Sequence, residues 1–180
     1  KDSATGKHIR RIQEYTRRIA LALGCSDSEA AVYAKASRLH DIGKVGIPDN
    51  ILRKPGKLTE EEFAVIKRHT RIGDAVLSRS VSLAVARLVA KSHHERWDGG
   101  GYPEGQQGED IPFAARLVAV ADVFDALLSQ RPYKQAWTAD LAAAEIEAGR
   151  GKHFDPRIAD AFLALYRDGR LNDLIENVTE

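Results

Sequence analysis

A chain of 180 residues with 43% hydrophobic and 29% charged residues has the size and composition of one compact globular domain, which excludes general disorder. Its 27 Lys and Arg against 26 Asp and Glu leave a formal net charge of +1, so DNA held by bulk phosphate neutralisation is not an expected partner and anion recognition must be local. The single cysteine, Cys25, excludes an internal disulfide, and the apolar runs stop well short of the ~20 residues of a membrane span; a cytoplasmic protein with Cys25 as a structural residue is expected.

In chain order, Ile9, Ile12, Ile19 and Leu23 recur at helical spacing and Gly24 closes that helix, while Ser26 with Glu29 offers a capping box for a second helix before His40. Residues 45–56, with Gly46, Pro48, Pro55 and Gly56, read as a loop. Thr59 with Glu62 caps a third helix running to about Leu77 and carrying His69. An apolar stretch from Val81 to Ser92 ends at His93 and His94, and a glycine-dense loop continues to about Asp110. Pro112 suits the first turn of a long helix to about Leu128, with Asp122 and Asp125 on one face. Thr138 starts a sixth helix ended by Gly149 and Gly151, and Asp155-Pro156 opens a last one closed near Gly169. No strand pattern or repeat is evident. The prediction is an all-α, compact helical bundle with functional loops after His40 and after His94. A single domain over 1–180 is expected, and the lack of any methionine, initiator included, leads to the expectation that it is excised from a longer protein.

The chemistry rests on histidines and acids. Any one of the six histidines alone is more often a surface or hydrogen-bonded structural residue than a ligand, and His153 keeps that reading. The adjacent pairs His40-Asp41 and His93-His94 differ, because each places two potential ligands at a helix end. Neighbouring helical side chains diverge by about 100°, which suits a broad two-metal cluster better than one tetrahedral ion. Spacing alone leaves a metal site and a set of structural histidines both open.

A second signal is the continuous text His40-Asp41-Ile42-Gly43-Lys44 together with His93-His94-Glu95-Arg96-Trp97-Asp98-Gly99-Gly100-Gly101-Tyr102-Pro103. These segments resemble the HD-GYP family. The similarity continues through Ile47-Pro48-Asp49, Lys54-Pro55-Gly56, Asp122-Val123-Phe124-Asp125-Ala126-Leu127, Arg131-Pro132-Tyr133-Lys134 and Phe154-Asp155-Pro156. The resemblance implies the helical HD-domain fold and metal-dependent hydrolysis of cyclic di-GMP in bacterial signalling, giving linear pGpG and, in a further step, GMP. It implies that His8, His40, Asp41 and Asp122 hold one divalent ion and that His69, His93 and His94 hold a second, with Asp41 bridging. The family points to iron or manganese ahead of zinc or cobalt. Some members bind a third metal through a glutamate four residues before the first histidine; that position is Ala4 here, so a binuclear centre is expected.

Around that centre, the two ions would activate a water, and no side-chain nucleophile is assigned. Lys44, three residues after Asp41, is expected to bind a phosphate oxygen and assist catalysis. Asp125, one turn after Asp122, is expected to position a substrate-side water, a ligand or Lys44, or else to be a buried hydrogen-bond acceptor. Arg131 and Lys134 are expected to bind phosphate, and Tyr102 either stacks on a base or packs the loop. Glu95 and Asp98 are expected to orient metal-bound histidines, with loop capping as the alternative for Asp98. The resemblance also implies an upstream sensory or receiver domain, and contacts of the GYP loop with diguanylate cyclases or adaptor proteins. Hydrolysis of another cyclic dinucleotide such as cyclic GMP-AMP, or of a nucleotide, is the nearest alternative, and a catalytically silent receptor or docking module is a more distant one.

Overall fold

The amphipathic first segment forms α1 (Gly6–Ala22), which buries Ile12, Tyr15 and Ile19 on one side. A computed structural model describes residues 6–129, 136–176 and 178 of the chain. After α1 come α2 (Asp27–Ser37), a 3-10 turn (Ile42–Gly46), α3 (Asp49–Leu52), α4 (Glu60–Lys67), α5 (His69–Leu77), α6 (Ala84–Ser92), α7 (Phe113–Leu128), α8 (Ala139–Ala148), α9 (Pro156–Arg167) and α10 (Asn172–Glu176). No strand is present among the described residues, as expected.

Both capping boxes form: Glu29 N–H donates to Ser26 Oγ while Ser26 N–H donates to Glu29 Oε2, and Thr59 and Glu62 repeat the exchange. The Thr138 hydroxyl accepts from Leu141 N–H, and the Asp155 carboxylate accepts from Arg157 N–H beside Pro156 in the first turn of α9. The most buried helix is α7, on which Leu117, Val118, Val120, Ala121 and Phe124 are all shut off from solvent. It packs against α1, α6, α8 and α9. Phe124 meets Tyr15 edge-on at 5.5 Å and Phe162 at 4.7 Å, which locks α1, α7 and α9 together. Each such ring contributes about 1.5–3 kcal/mol by burial. A rigid central helix therefore carries Asp122, and α1, clamped to it, carries His8.

Three expectations need correction. The loop after His40 contains the 3-10 turn and α3, and a short helix, α10, follows Gly169. The single helix expected from Thr59 to Leu77 is interrupted at Arg68. The cause lies in side chains that take helix carbonyls: His69 Nδ1 donates to Ile66 O at 2.6 Å and Thr70 Oγ1 donates to Lys67 O at 2.9 Å. The interruption turns α5 onto the 3-10 turn. There Gly43 lies so close to α5 that a Cβ on it would stand 1.8 Å from His69 O and 2.5 Å from Gly73 N. Only backbone fits between the two metal-ligand candidates that flank this contact, Asp41 and His69.

Gly43→Ala is accordingly expected to force α5 and the 3-10 turn apart. At an overpacking cost of about 2 kcal/mol, Tm falls by about 4–8 °C in calorimetry, and divalent-ion binding weakens with it. An unchanged Tm would remove the close-contact explanation.

Candidate metal centre

Three helix ends and two helix faces converge on one cluster of side chains. His40 and Asp41 follow α2, His69 opens α5, His93 and His94 follow α6, and His8 and Asp122 project from α1 and α7. Ligand atoms of His8, His40 and Asp122 lie within 4.8 Å of one another, and so do those of Asp41, His69, His93 and His94. The structure thus brings together all seven residues implied as ligands.

The imidazoles are held in one tautomer by local backbone. Nδ1 of His40 donates to Ser37 O at 2.7 Å, Nδ1 of His69 to Ile66 O, and Nδ1 of His93 to Val89 O at 3.0 Å. A carbonyl only accepts, so Nδ1 carries a proton in each ring, and wherever the ring is neutral Nε2 keeps its lone pair. All three Nε2 atoms are buried and have no hydrogen-bond partner. A buried polar atom without a partner costs about 1–3 kcal/mol, and three gathered about one carboxylate fit a divalent cation. That carboxylate is Asp41: Oδ1 is 3.4 Å from His69 Nε2 and 3.8 Å from His93 Nε2, while Oδ2 is 3.4 Å from His40 Nε2. Its two oxygens face the two groups, as a bridging ligand requires. Asp122 Oδ1 stands 3.8 Å from His40 Nε2 on the other side.

The electrostatics show a site short of positive charge. Burial drives the pKa of His93 well below its ordinary value, with His94 and His40 adding to the effect, and burial and His69 push His94 down to about 3. Burial lowers His69 as well. These rings are neutral and ready to coordinate. His40 is the exception: burial pulls it down, but Asp41 and Asp122 override burial and push it up to about 9. Asp41, half-buried, is held well below the usual carboxylate range by His40 and Lys44 against the desolvation that would raise it. A proton at His40 supplies the charge that a cation would otherwise bring.

Around this core several expectations change. Asp125 does not face substrate. It is fully buried, its Oδ2 lies 2.5 Å from His8 Nδ1, and Arg11 donates to it from Nε at 2.6 Å and Nη2 at 3.0 Å. With both oxygens engaged, Asp125 aims His8 so that Nε2 turns to the metal group. Arg11 was missed by the sequence reading; the available signal was a cation one turn after His8 on the buried stripe of α1. Glu95 orients no histidine but accepts from the backbone N–H of Glu104 at 2.7 Å and Gln106 at 3.0 Å, folding the glycine-rich loop onto itself. Asp98 takes its alternative role, pairing with Arg96 and accepting from Gly100 N–H. Tyr102 packs rather than projects: its ring stacks on His94 at 4.8 Å, and its N–H donates to His94 O. Gly101 makes this possible, because a Cβ there would stand 2.4 Å from Arg96 N.

Lys44 Nζ lies 2.6 Å from Asp41 Oδ2, at the edge of the site. His153 stacks on Phe154 away from the cluster, as expected, and burial with Arg96 nearby pushes it down to about 4. Arg131, Lys134 and Ala4 lie outside the described residues.

The HD domain family matches residues 1–158. Over 165 residues the chain is 53% identical to the cyclic di-GMP phosphodiesterase response regulator RpfG of Xanthomonas campestris pv. campestris, covering 91% of this chain and 44% of that protein. It is 46% identical over 161 residues to 3′3′-cGAMP-specific phosphodiesterase 2 of Vibrio cholerae serotype O1, covering 88% of this chain and 31% of that protein. Bd1817, an HDG"Y"P protein from Bdellovibrio bacteriovorus, shares the fold with a TM-score of 0.72 at 18% identity, over 89% of this chain and 51% of that one. The chain spans less than half the length of these curated relatives.

Two outcomes are expected. Asp41→Ala removes the carboxylate common to both groups: bound divalent ion, measured by elemental analysis, falls sharply while far-UV circular dichroism is kept, and full occupancy would refute the shared role. In the metal-free protein, the unfolded chain takes up protons below about pH 6.5 that folded His69, His93, His94 and His153 refuse. Tm therefore falls as pH is lowered from 6.5 towards 4. His40, raised instead, opposes this slope only near pH 6.5 and is protonated in both states towards pH 4.

Proposed function

The chain belongs to the HD domain family, and we propose that its paired ligand groups serve hydrolysis of cyclic di-GMP to linear pGpG, with GMP as a further product. The observation that carries this reading is the set of three buried, unpartnered Nε2 atoms arranged about the two oxygens of Asp41. His8, His40, Asp41 and Asp122 would hold one divalent ion and His69, His93 and His94, with Asp41, the other. A donor set of imidazole and carboxylate without thiolate suits iron or manganese and admits zinc or cobalt. When bound, such ions supply an acidified water and draw charge from the phosphoryl oxygens.

The chain's own groups do the rest. Asp41 spans the two groups and sets their separation. His8 is fixed by Asp125 and Arg11, and His94 is pressed into place by Tyr102. Lys44, the cation beside Asp41, turns from that carboxylate to a non-bridging phosphate oxygen of bound substrate. Arg131 and Lys134 are assigned to phosphate on sequence alone. The word "response regulator" in a relative's name supports a receiver or sensory domain attached to this one, and the cytoplasm as its location. The likeness to a 3′3′-cGAMP-specific phosphodiesterase favours cyclic GMP-AMP as a second substrate.

Product chromatography on the metal-loaded protein tests the proposal: cyclic di-GMP is converted to pGpG, a chelator stops the reaction, and added metal restores it. Lys44→Ala is expected to lower kcat/KM by about 10- to 100-fold, the effect of losing one charge-assisted hydrogen bond, while bound metal is kept. A metal-replete protein that leaves cyclic di-GMP intact would overturn the hydrolytic reading.

A further inference from the structure

Beside the His94 end of the site stands a pair of side chains that the fold does not use. The helix that bears them, α4, has no buried residue. Phe63 is 43% exposed, an unfavourable place for a phenyl ring. Its ring lies 6.4 Å from Tyr102 at 82°, and Tyr102 lies 4.8 Å from His94 in a stack. Lys67, one turn along α4, sets Nζ 4.8 Å from the Phe63 centroid and 5.3 Å from that of Tyr102. Two ring contacts thus lead from a metal-ligand imidazole to an open aromatic surface with an ammonium beside it. An exposed cation–π pair stabilises a helix by at most about 1 kcal/mol, so its contribution to the fold is small.

We propose that Phe63 and Lys67 form a guanine-binding subsite of the catalytic centre, a reading that rests on the cyclic dinucleotide function above. A base stacks on the open part of the Phe63 ring, as bases do on exposed aromatic side chains in single-strand binders. Tyr102 is already stacked on His94, which leaves Phe63 as the platform. Lys67 supplies the choice of base. An ammonium only donates hydrogen bonds, and guanine offers two acceptors, O6 and N7, on one edge, whereas adenine puts an amino group where O6 would be. Phe63 therefore contributes affinity for either purine, and Lys67 contributes preference for guanine.

The test uses metal-loaded wild type, Phe63→Ala and Lys67→Met. The substrates are cyclic di-GMP, 3′3′-cyclic GMP-AMP, cyclic di-AMP and methyl p-nitrophenyl phosphate, a diester with no base. Phe63→Ala is expected to raise KM for cyclic di-GMP about fivefold or more relative to its effect on the base-free diester, the low end for loss of one base stack. Lys67→Met is expected to lower the ratio of kcat/KM for cyclic di-GMP over cyclic di-AMP by about tenfold. Ratios that do not move, equal losses on all four diesters, or loss of bound metal in either variant would overturn the subsite. A wild type that binds cyclic di-GMP in a Phe63-dependent way without cleaving it would remove the hydrolytic reading and uphold the subsite. Cleavage with unmoved ratios would do the reverse, and a wild type that neither binds nor cleaves would end both.

Discussion

Three hydrogen bonds from imidazole Nδ1 to backbone carbonyls govern this structure. By taking Ser37 O, Ile66 O and Val89 O, the side chains of His40, His69 and His93 fix which nitrogen is bare and where it points. The donors and acceptors are local, three or four residues apart in sequence, so each ring is oriented by the helix end that bears it. What tertiary packing then adds is the meeting of those helix ends. Aligning α2, α5 and α6 at this point buries three Nε2 atoms that no hydrogen bond satisfies. Metal binding at such a cluster would be linked to folding, and the free energy of the ion would offset that cost.

The same logic explains why His8 is supported differently. It lies on α1 facing α7. Its Nδ1 is paired instead with Asp125 of α7, and Arg11 holds that carboxylate from one turn along α1. Asp125 remains ionised because His8 and Arg11 outweigh the burial that would raise its pKa. One buried carboxylate thereby joins two helices and orients His8, a candidate ligand. A buried charge this well partnered is tolerated where a lone one would be expelled or neutralised.

Much of this was legible in the sequence, and for identifiable reasons. Capping boxes at Ser26 and Thr59, the proline-led start of α9 and the apolar content of α7 are local signals, and the local structure follows them. The seven ligand candidates were reachable because adjacent pairs at helix ends are unusual and the surrounding motifs are long. For Asp125 the buried-acceptor alternative holds and the substrate-side one does not, because spacing places it on the face of Asp122 without revealing that α1 covers that face with His8 and Arg11. Glu95 was misread for the same reason: its partners, the amides of Glu104 and Gln106, are backbone atoms that carry no sequence signal. The break at Arg68 arises from competition for carbonyls by His69 and Thr70, which periodicity does not register.

The glycine-rich loop is better understood as part of the metal centre's support than as a free appendage. Tyr102 is bonded through its N–H to His94 O and stacked on the His94 ring, while Trp97 and Asp98 donate their amides to His153 O and Lys152 O at the start of the α9 region. Glu95 closes the loop from inside, and Arg71 on α5 reaches Pro103 O. These ties join the segment that follows His94 to α5, which begins at His69, and to the connection before α9. A partner that gripped this loop would therefore press on one wall of the ligand cluster, and a change in the cluster would be felt at the loop surface, because no slack segment separates the two.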